Sequence, residues 1–303
     1  MKIGYPCINR SIGCTSNKTF RLKSYSEEKM ITTISNNLLC LKKILQYNIN
    51  HNIFFFRISS DLVPFASHPI CIFKWQHYFK NDFKEIGEII NQNKIRISMH
   101  PDQFIVLNSI KEDVVKRSIN ELIYHAEVLD LFNLDFSAKI QLHIGGAYGD
   151  KKRSMQRFID NYLTLNEKIK KRLIIENDDK IYSVKDCLMI SEKTHIPVLF
   201  DTFHHCLLNY NESIKECIYQ IQKTWQQKDG IPMVDYSSQQ PNSTKGKHAE
   251  SIDLIDFIDF INQTKPTDLD IMLEIKNKEK SAQQAEQLLR QDKRFYHPVI
   301  IRE

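Results

Sequence analysis

Eight short apolar or β-branched runs alternate along the chain with stretches whose apolar residues recur at helical spacing. The strand-like runs span residues 2–5, 53–58, 95–99, 139–142, 173–175, 198–200, 231–234 and 271–273. The helical stretches span 27–47, 83–90, 112–131, 152–169, 184–192, 213–225, 252–261 and 282–289. Short, unbroken apolar runs are typical of parallel strands buried on both faces. The alternation predicts an α/β fold of the (β/α)8 TIM-barrel type, with an open doubly wound sheet as the alternative.

The chain has no visible internal boundary. No fixed-period repeat, low-complexity tract or Pro/Gly/Ser-rich linker divides it, so we expect a single domain over residues 1–303 that ends in a helix and tail over 281–303. None of the strand-like runs leads into a glycine-rich phosphate-binding motif, and we therefore expect no nucleotide cofactor. No apolar run approaches the roughly 20 residues that span a bilayer, and the N-terminus lacks the apolar stretch of a signal peptide. We expect a cytoplasmic monomer that does not associate with membranes.

Cysteine content and charge add weaker constraints. The 7 cysteines are scattered and include no Cys-x-x-Cys motif, so we expect reduced thiols rather than disulfides or a thiolate zinc site. The formal net charge of +5 permits a polyanionic partner but does not establish one.

The residues at the carboxyl ends of the strand-like runs carry the functional signal. In a parallel barrel these positions converge on one rim, where active sites are built. In chain order they are Tyr5, Arg57, His100, His143, Glu176, Asp201, Asp235 and Glu274. Any one of these histidines alone would more often be a satisfied core residue, but imidazoles and carboxylates at the ends of six consecutive strands predict a metal site for Zn, Mn or Fe.

Further residues near this rim suggest a nucleic-acid substrate. His204 and His248 can add imidazole ligands, and clustered metal ions can generate hydroxide near neutral pH and neutralise an attacked phosphate. The loops 9–23 and 62–79 interleave basic and aromatic residues that could bind phosphates and stack on bases, or whose aromatics could simply cap the barrel. The pair Gln103 and Phe104, just after His100, could wedge into a distorted duplex.

Several motifs carry a resemblance to a known family. They are Gly4-Tyr5-Pro6-Cys7, Ser98-Met99-His100-Pro101, Leu142-His143-Ile144-Gly145-Gly146-Ala147-Tyr148-Gly149, Glu176-Asn177-Asp178, Asp201-Thr202-Phe203-His204-His205 and Glu274-Ile275-Lys276-Asn277-Lys278-Glu279. In this order, from residue 3 to about residue 280, the sequence resembles the UV damage endonucleases. The resemblance implies a TIM-barrel DNA repair enzyme akin to endonuclease IV. It implies nicking of damaged double-stranded DNA immediately 5′ of cyclobutane pyrimidine dimers, (6-4) photoproducts and some other lesions such as abasic sites, through hydroxide activated by metal ions.

The resemblance also implies roles for individual residues. It implies a divalent cluster of two or three ions, with manganese expected and zinc or magnesium as alternatives. His100, His143 and Glu176 would hold one ion, Glu176 would bridge to a second held by Asp201, Asp235 and Glu274, and His204 with His248 would hold a third. Glu176, His143 and Glu274 would be catalytic. The residues expected to contact DNA or the lesion are Gln103, Phe104, Tyr5, Asn9, Arg10, Lys276 and Lys278.

Two departures from the family pattern affect these expectations. On its seventh strand the family carries a modified lysine and a histidine where this chain has Met233 and Asp235. Met233 is a poor ligand for a hard cation, and Asp235 changes the charge of the site. The family's Gln-Tyr lesion probe corresponds to Gln103-Phe104, which keeps a stacking ring and lacks the hydroxyl. The alternatives are an apurinic endonuclease, a sugar isomerase of the same barrel type, and a lesion-binding protein whose cluster is impaired.

Overall fold

The protein folds into a closed barrel of eight parallel strands in sequential order. A computed structural model describes residues 1–298. The strands are β1 (Ile3–Pro6), β2 (Phe55–Ile58), β3 (Arg96–Met99), β4 (Lys139–His143), β5 (Leu173–Glu176), β6 (Val198–Asp201), β7 (Met233–Tyr236) and β8 (Asp270–Leu273). The predicted single-domain TIM barrel is confirmed, and the open sheet is excluded because β1 pairs with both β2 and β8.

Helices follow the strands and cover the outside of the barrel. They are α1 (Glu27–Asn50), α2 (Trp75–Tyr78), α3 (Lys80–Gln92), α4 (Glu112–Leu131), α5 (Lys151–Leu163), α6 (Glu167–Lys170), α7 (Val184–Thr194), α8 (Thr202–Leu207), α9 (Ile214–Ile221), α10 (Leu254–Thr264) and α11 (Glu279–Leu289). Local sequence sets several of their starts. The Ser26 side chain caps α1 by accepting from the Lys29 amide, and Glu27 and Glu28 complement the helix dipole. No helix within residues 1–298 is long and apolar enough to cross a membrane.

The helices differ from the sequence expectation in three respects. The stretch 152–169 is interrupted after Leu163, because the Asn166 side chain accepts from the Lys168 amide and starts the separate short helix α6. Helices α2 and α8 are too short to show a periodic pattern. The terminal helix expected from residue 281 begins at Glu279 as α11, and the last part of the expected tail, residues 299–303, lies outside the described residues.

An apolar layer closes the interior of the barrel below the rim. It consists of Phe55, Ile174, Leu199, Met233 and Met272, all fully buried. Side chains two positions apart on a strand point to the same face. Each layer residue is therefore followed, two positions closer to the rim, by a polar inward-facing one: Arg57, Glu176, Asp201, Asp235 and Glu274. The polar residues therefore lie directly above the apolar layer, at the carboxyl end of the barrel.

The loop before α1 and the loop after β2 pack over the barrel. A disulfide joins Cys14 in the first loop to Cys40 on α1, which corrects the expectation that all thiols are reduced. These cysteines are 26 positions apart, and the sequence gave no signal for their pairing. Trp75 and Phe79 in the second loop region are buried, so the capping alternative holds for these two aromatics.

Candidate metal centre

Two histidines and one carboxylate meet at the ends of β3, β4 and β5. Glu176 Oε1 lies 3.0 Å from His100 Nε2 and 2.7 Å from His143 Nε2, although His100 and Glu176 are 76 residues apart. The ligand atoms of these three residues lie within 4.8 Å of one another, as a shared metal ion requires. Because Glu176 is buried and the histidine rings are half-buried, the group opens only toward the rim.

A second potential ligand group lies beside the first and shares Glu176. Carboxylate oxygens of Glu176, Asp201 and Asp235 also lie within 4.8 Å of one another, and all three residues are buried. Asp201 additionally caps α8 by accepting from the His204 amide at 2.7 Å. This cap brings the His204 ring to the edge of the group, with Nδ1 3.2 Å from Asp201 Oδ2.

The histidine rings are held as metal-binding imidazoles usually are, by one ring nitrogen on a backbone carbonyl. Nδ1 of His100 contacts the Pro101 carbonyl at 2.9 Å, Nδ1 of His204 contacts the Asn177 carbonyl at 3.0 Å, and Nδ1 of His248 contacts the Glu274 carbonyl at 2.9 Å. This arrangement leaves Nε2 of each ring as the ligand atom, and all three residues line one cavity. The buried Nδ1 of His143 has no hydrogen-bond partner among the described residues. The donor set therefore fits divalent transition metals.

The electrostatics of the carboxylates reflect their burial and mutual repulsion. Burial opposes ionisation of Glu176, but the charges of His143 and His100 outweigh it and hold the pKa of Glu176 well below its usual range. Burial raises the pKa of Asp201, only partly offset by His204. Burial likewise raises the pKa of Asp235 against the opposing charge of Arg57. The neighbouring carboxylates Glu176 and Glu274 raise both pKa values further, and a bound cation would relieve this repulsion, so the site favours cations.

A cavity of about 550 Å³ opens above these groups. Its wall includes His100, His143, His204 and His248, together with Gln103, Lys276 and Lys278. Phe104, next to Gln103, projects outward and is 68% exposed. The cavity thus combines the candidate ligands with cationic side chains and an exposed aromatic ring beside them.

Comparisons with known proteins agree with this geometry. The family model of the UV-endonuclease UvdE matches residues 1–295. A UV DNA damage endonuclease from Clostridium perfringens (strain 13 / Type A) is 43% identical over 284 residues, which cover 93% of this chain and 69% of that relative. The chain belongs to the UvdE family. The crystal structure of SacUVDE matches this UvdE barrel with a TM-score of 0.91 at 47% identity, covering 95% of this chain and 98% of that one. D-psicose 3-epimerase from Clostridium cellulolyticum H10, covering 77% of this chain and 79% of that one, has a TM-score of 0.53 at 12% identity and shares the fold alone.

Two side chains of this UvdE chain that were not predicted as site residues lie at the centre of the acidic layer, the set of inward-facing carboxylates Glu176, Asp201, Asp235 and Glu274. Arg57 was identified as a strand-end residue, but its positive charge gave no reason to place it among metal ligands. Its Nη2 donates to both carboxylate oxygens of Asp235 and to Gln141 Oε1, each at 2.7 Å, and its Nη1 donates to Glu274. Gln141 donates in turn to Glu176 and to Asp235. Gln141 lies two residues before His143 on β4, so strand alternation would have identified it as inward-facing.

Tyr5 and Asn9 require a correction. Both were expected to contact the lesion, but both are buried. The Tyr5 hydroxyl donates to Asn48 Oδ1 at 2.6 Å and accepts from Asn9 Nδ2 at 2.8 Å, so the pair anchors the first loop to α1 instead of facing the cavity. Arg10, the next residue, is exposed near the rim, 3.7 Å from Glu250.

Met233 belongs to the apolar layer and is not among the candidate ligands. It is fully buried with Phe55, Ile174, Leu199 and Met272. Asp235, two residues farther along β7, is the residue of that strand that reaches the acidic layer. The loss of a ligand at Met233 is therefore matched by an apolar environment that suits methionine.

Proposed function

We propose that this UvdE-family chain nicks the phosphodiester bond immediately 5′ of UV photoproducts in double-stranded DNA, and that it does so with divalent metal ions, manganese first among them. Cyclobutane dimers and (6-4) photoproducts are the proposed main substrates, with abasic sites as a further one. Manganese is favoured because the donor set mixes imidazoles with carboxylates, which suit Mn, whereas soft thiolate ligands are not part of either ligand group.

The convergence of His100, His143 and Glu176 is the observation that carries this proposal. These residues would hold one ion, and Glu176 would bridge to another near Asp201, with Glu274, His204 and His248 completing the ligands. Divalent ions at such a site lower the pKa of a bound water toward neutrality and offset negative charge on an attacked phosphate.

The chain's own residues would orient both the ligands and the substrate. Gln141 and the backbone carbonyls hold Glu176 and the histidine rings in fixed orientations, so little reorganisation is needed when charge develops. Lys276 and Lys278 line the cavity wall, where their charges can bind phosphates on either side of the cut bond. Arg10 would extend this cationic surface along the DNA backbone.

Gln103 and Phe104 would read the damage. An exposed aromatic ring costs little to insert where stacking is already weakened, and UV photoproducts weaken pairing and stacking at the lesion. Phe104 is exposed and follows Gln103, which lines the cavity, so its ring is accessible to a base. Discrimination between damaged and intact duplex would therefore come from this pair, while the lysines bind both.

The test is a labelled duplex with one cyclobutane dimer, incubated with the protein and Mn²⁺, followed by mapping of the cut and of its end groups. We expect a single nick immediately 5′ of the dimer with a 3′-hydroxyl, and no nick in the undamaged duplex. Specific binding of the damaged duplex without a nick would favour the lesion-binding alternative. Turnover of a ketose or aldose without DNA cleavage would favour the isomerase alternative.

A further inference from the structure

Glu279, the first residue of α11, carries a buried carboxylate that binds the first loop, residues 7–26 between β1 and α1. Its Oε2 accepts from the Arg10 amide at 3.0 Å, and its Oε1 accepts from the Ser11 hydroxyl at 2.7 Å. These partners lie 269 and 268 positions away along the chain. No metal-binding or DNA-binding role was predicted for Glu279 from the sequence.

The partners of this carboxylate are uncharged groups, an amide and a hydroxyl. A buried charge is costly unless hydrogen bonds compensate it, and the dipole at a helix N-terminus favours an anion. Both oxygens of Glu279 accept from the first loop, so displacement of that loop would remove two donors from a buried charge. The carboxylate therefore holds the first loop against the start of α11.

Two cationic residues of the rim adjoin these contacts. Arg10 donates its amide to Glu279, while its guanidinium is 49% exposed and lies 3.7 Å from Glu250. An exposed pair of this kind contributes little, so the Arg10 side chain is available to a phosphate. Lys278 directly precedes Glu279 and lines the cavity. Its φ of 54° is uncommon for a residue other than glycine, and such a backbone persists only where its surroundings fix it.

The loops after β7 and β8 are joined at the same place by backbone hydrogen bonds. The Lys276 amide donates to the Ala249 carbonyl at 3.1 Å, and the Asn277 amide donates to the Glu250 carbonyl at 3.0 Å. Glu279 connects the first loop to this pair of loops. Three loops of the rim thus come together at the amino end of α11.

We propose that Glu279 is a positioning residue for DNA binding, which fixes the separation of Arg10 and Lys278 so that both contact phosphates of one duplex at once. This inference rests on the proposed function and adds to it the residue that assembles the cationic wall. Glu279 is fully buried and acts only through its neighbours. With the first loop already ordered, no further conformational entropy is lost in placing Arg10 when DNA binds. Without the carboxylate, the loop must be ordered during binding, and the Arg10 contact contributes less.

The experiment is a double-mutant cycle on the binding of an undamaged duplex, measured over a range of salt concentrations for the wild type, Arg10→Ala, Glu279→Gln and the double variant. One phosphate contact contributes about 0.9 to the slope of log K against log salt, so Arg10→Ala should weaken binding about eightfold at about 0.1 M salt. Glutamine keeps the shape of the Glu279 side chain, but its amide nitrogen cannot accept a hydrogen bond. In the Glu279→Gln background, Arg10→Ala should therefore weaken binding by less than about twofold.

The matched control is Glu286→Gln. Glu286 is another buried carboxylate of α11, but its oxygens accept from Arg290 and not from the first loop. In this background Arg10→Ala should keep its full effect on binding. The control separates the contact with the first loop from the general loss of a buried charge on α11.

An equal effect of Arg10→Ala in the wild type and in Glu279→Gln would overturn the inference, and so would wild-type affinity of Glu279→Gln for the duplex. If Glu279→Gln fails to fold, Ser11→Ala decides, because Ser11 is exposed and its change removes one donor while the buried charge stays. Arg10→Ala should then weaken binding less than in the wild type, and an undiminished effect would contradict the positioning role.

Nicking of a duplex with one cyclobutane dimer is measured on the same proteins, which separates this inference from the proposed function. Coupling between Glu279 and Arg10 in a protein that does not nick would refute the proposed function and leave the positioning role standing. Nicking without coupling would refute the positioning role alone.

Discussion

Replacing Phe104 by alanine isolates lesion reading from folding and from metal binding. The ring is 68% exposed, so its removal should change the free energy of unfolding by less than about 0.5 kcal/mol. Stacking of an aromatic ring on a base contributes about 1–3 kcal/mol by alanine substitution. Since each 1.4 kcal/mol corresponds to a factor of ten, the variant should lose about 5-fold to 150-fold in affinity for the damaged site.

The assay measures kcat/KM for nicking of a duplex with one cyclobutane dimer, and the inhibition constant of an undamaged duplex as competitor. We expect kcat/KM to fall within the range above while the inhibition constant changes by less than about twofold, because phosphate contacts carry no lesion information. The matched control is Leu163→Ala, since Leu163 is 52% exposed at the end of α5, near the opposite end of the barrel.

Two results would refute the reasoning. A kcat/KM within about twofold of the wild type would mean that Phe104 does not stack on a base at the lesion. An equal loss of affinity for the undamaged competitor would mean that the ring contributes to general binding and not to discrimination.

Further predictions concern the ligands, the rim charges and the core. Glu176→Ala should abolish nicking and weaken metal affinity by more than the about 10- to 100-fold typical of supporting residues, measured by Mn²⁺ titration, whereas the exposed His195→Ala should leave both unchanged. The double change Lys276→Ala with Lys278→Ala should flatten the slope of log K for DNA binding against log salt concentration by about 1 to 2, for damaged and undamaged duplex alike. Equal slopes for the wild type and the double variant would mean that neither lysine contacts DNA phosphates. Burial lowers the pKa of His125 to about 4 in the folded protein. As the pH drops from 6.5 toward 4, the His125 imidazole is therefore protonated in the unfolded chain before it is protonated in the folded one, and the free energy of unfolding should fall. The free energy of unfolding, measured with urea, should be lower by about 2 kcal/mol at pH 5 than at neutral pH. The His125→Gln variant should lack this part of the pH dependence. An equal pH dependence in both proteins would contradict the prediction.

The sequence predicted the barrel because each strand is a short apolar run and each helix has one apolar face. The strand ends then identified Glu176 and the histidines, since the carboxyl ends of parallel strands share one rim. The pairing of Arg57 with Asp235 could not be predicted, because it joins positions 178 residues apart and depends on the register of two strands. Strand alternation identifies an inward-facing residue without showing whether it meets a ligand or a counter-ion.

Loop conformations were also beyond sequence reasoning. Tyr5 lies at a strand end, which suggested a rim position, but its hydroxyl is drawn to Asn48 on α1. The pairing of Cys14 with Cys40 depends on how the first loop crosses the same helix. The first contact starts from strand β1 and the second from a loop, but both end on α1, and neither spacing nor composition gives a signal for them.

The most direct test of the central claim is the metal dependence of the nick itself. Protein stripped with a chelator is incubated with a duplex carrying one cyclobutane dimer, before and after Mn²⁺ is restored, and the cut is mapped at nucleotide resolution. If the cluster around Glu176 performs the reaction, the stripped protein is inactive, and Mn²⁺ restores a single cut immediately 5′ of the dimer with a 3′-hydroxyl end. Equal nicking by the stripped protein, or a restored cut that ignores the lesion, would contradict the account.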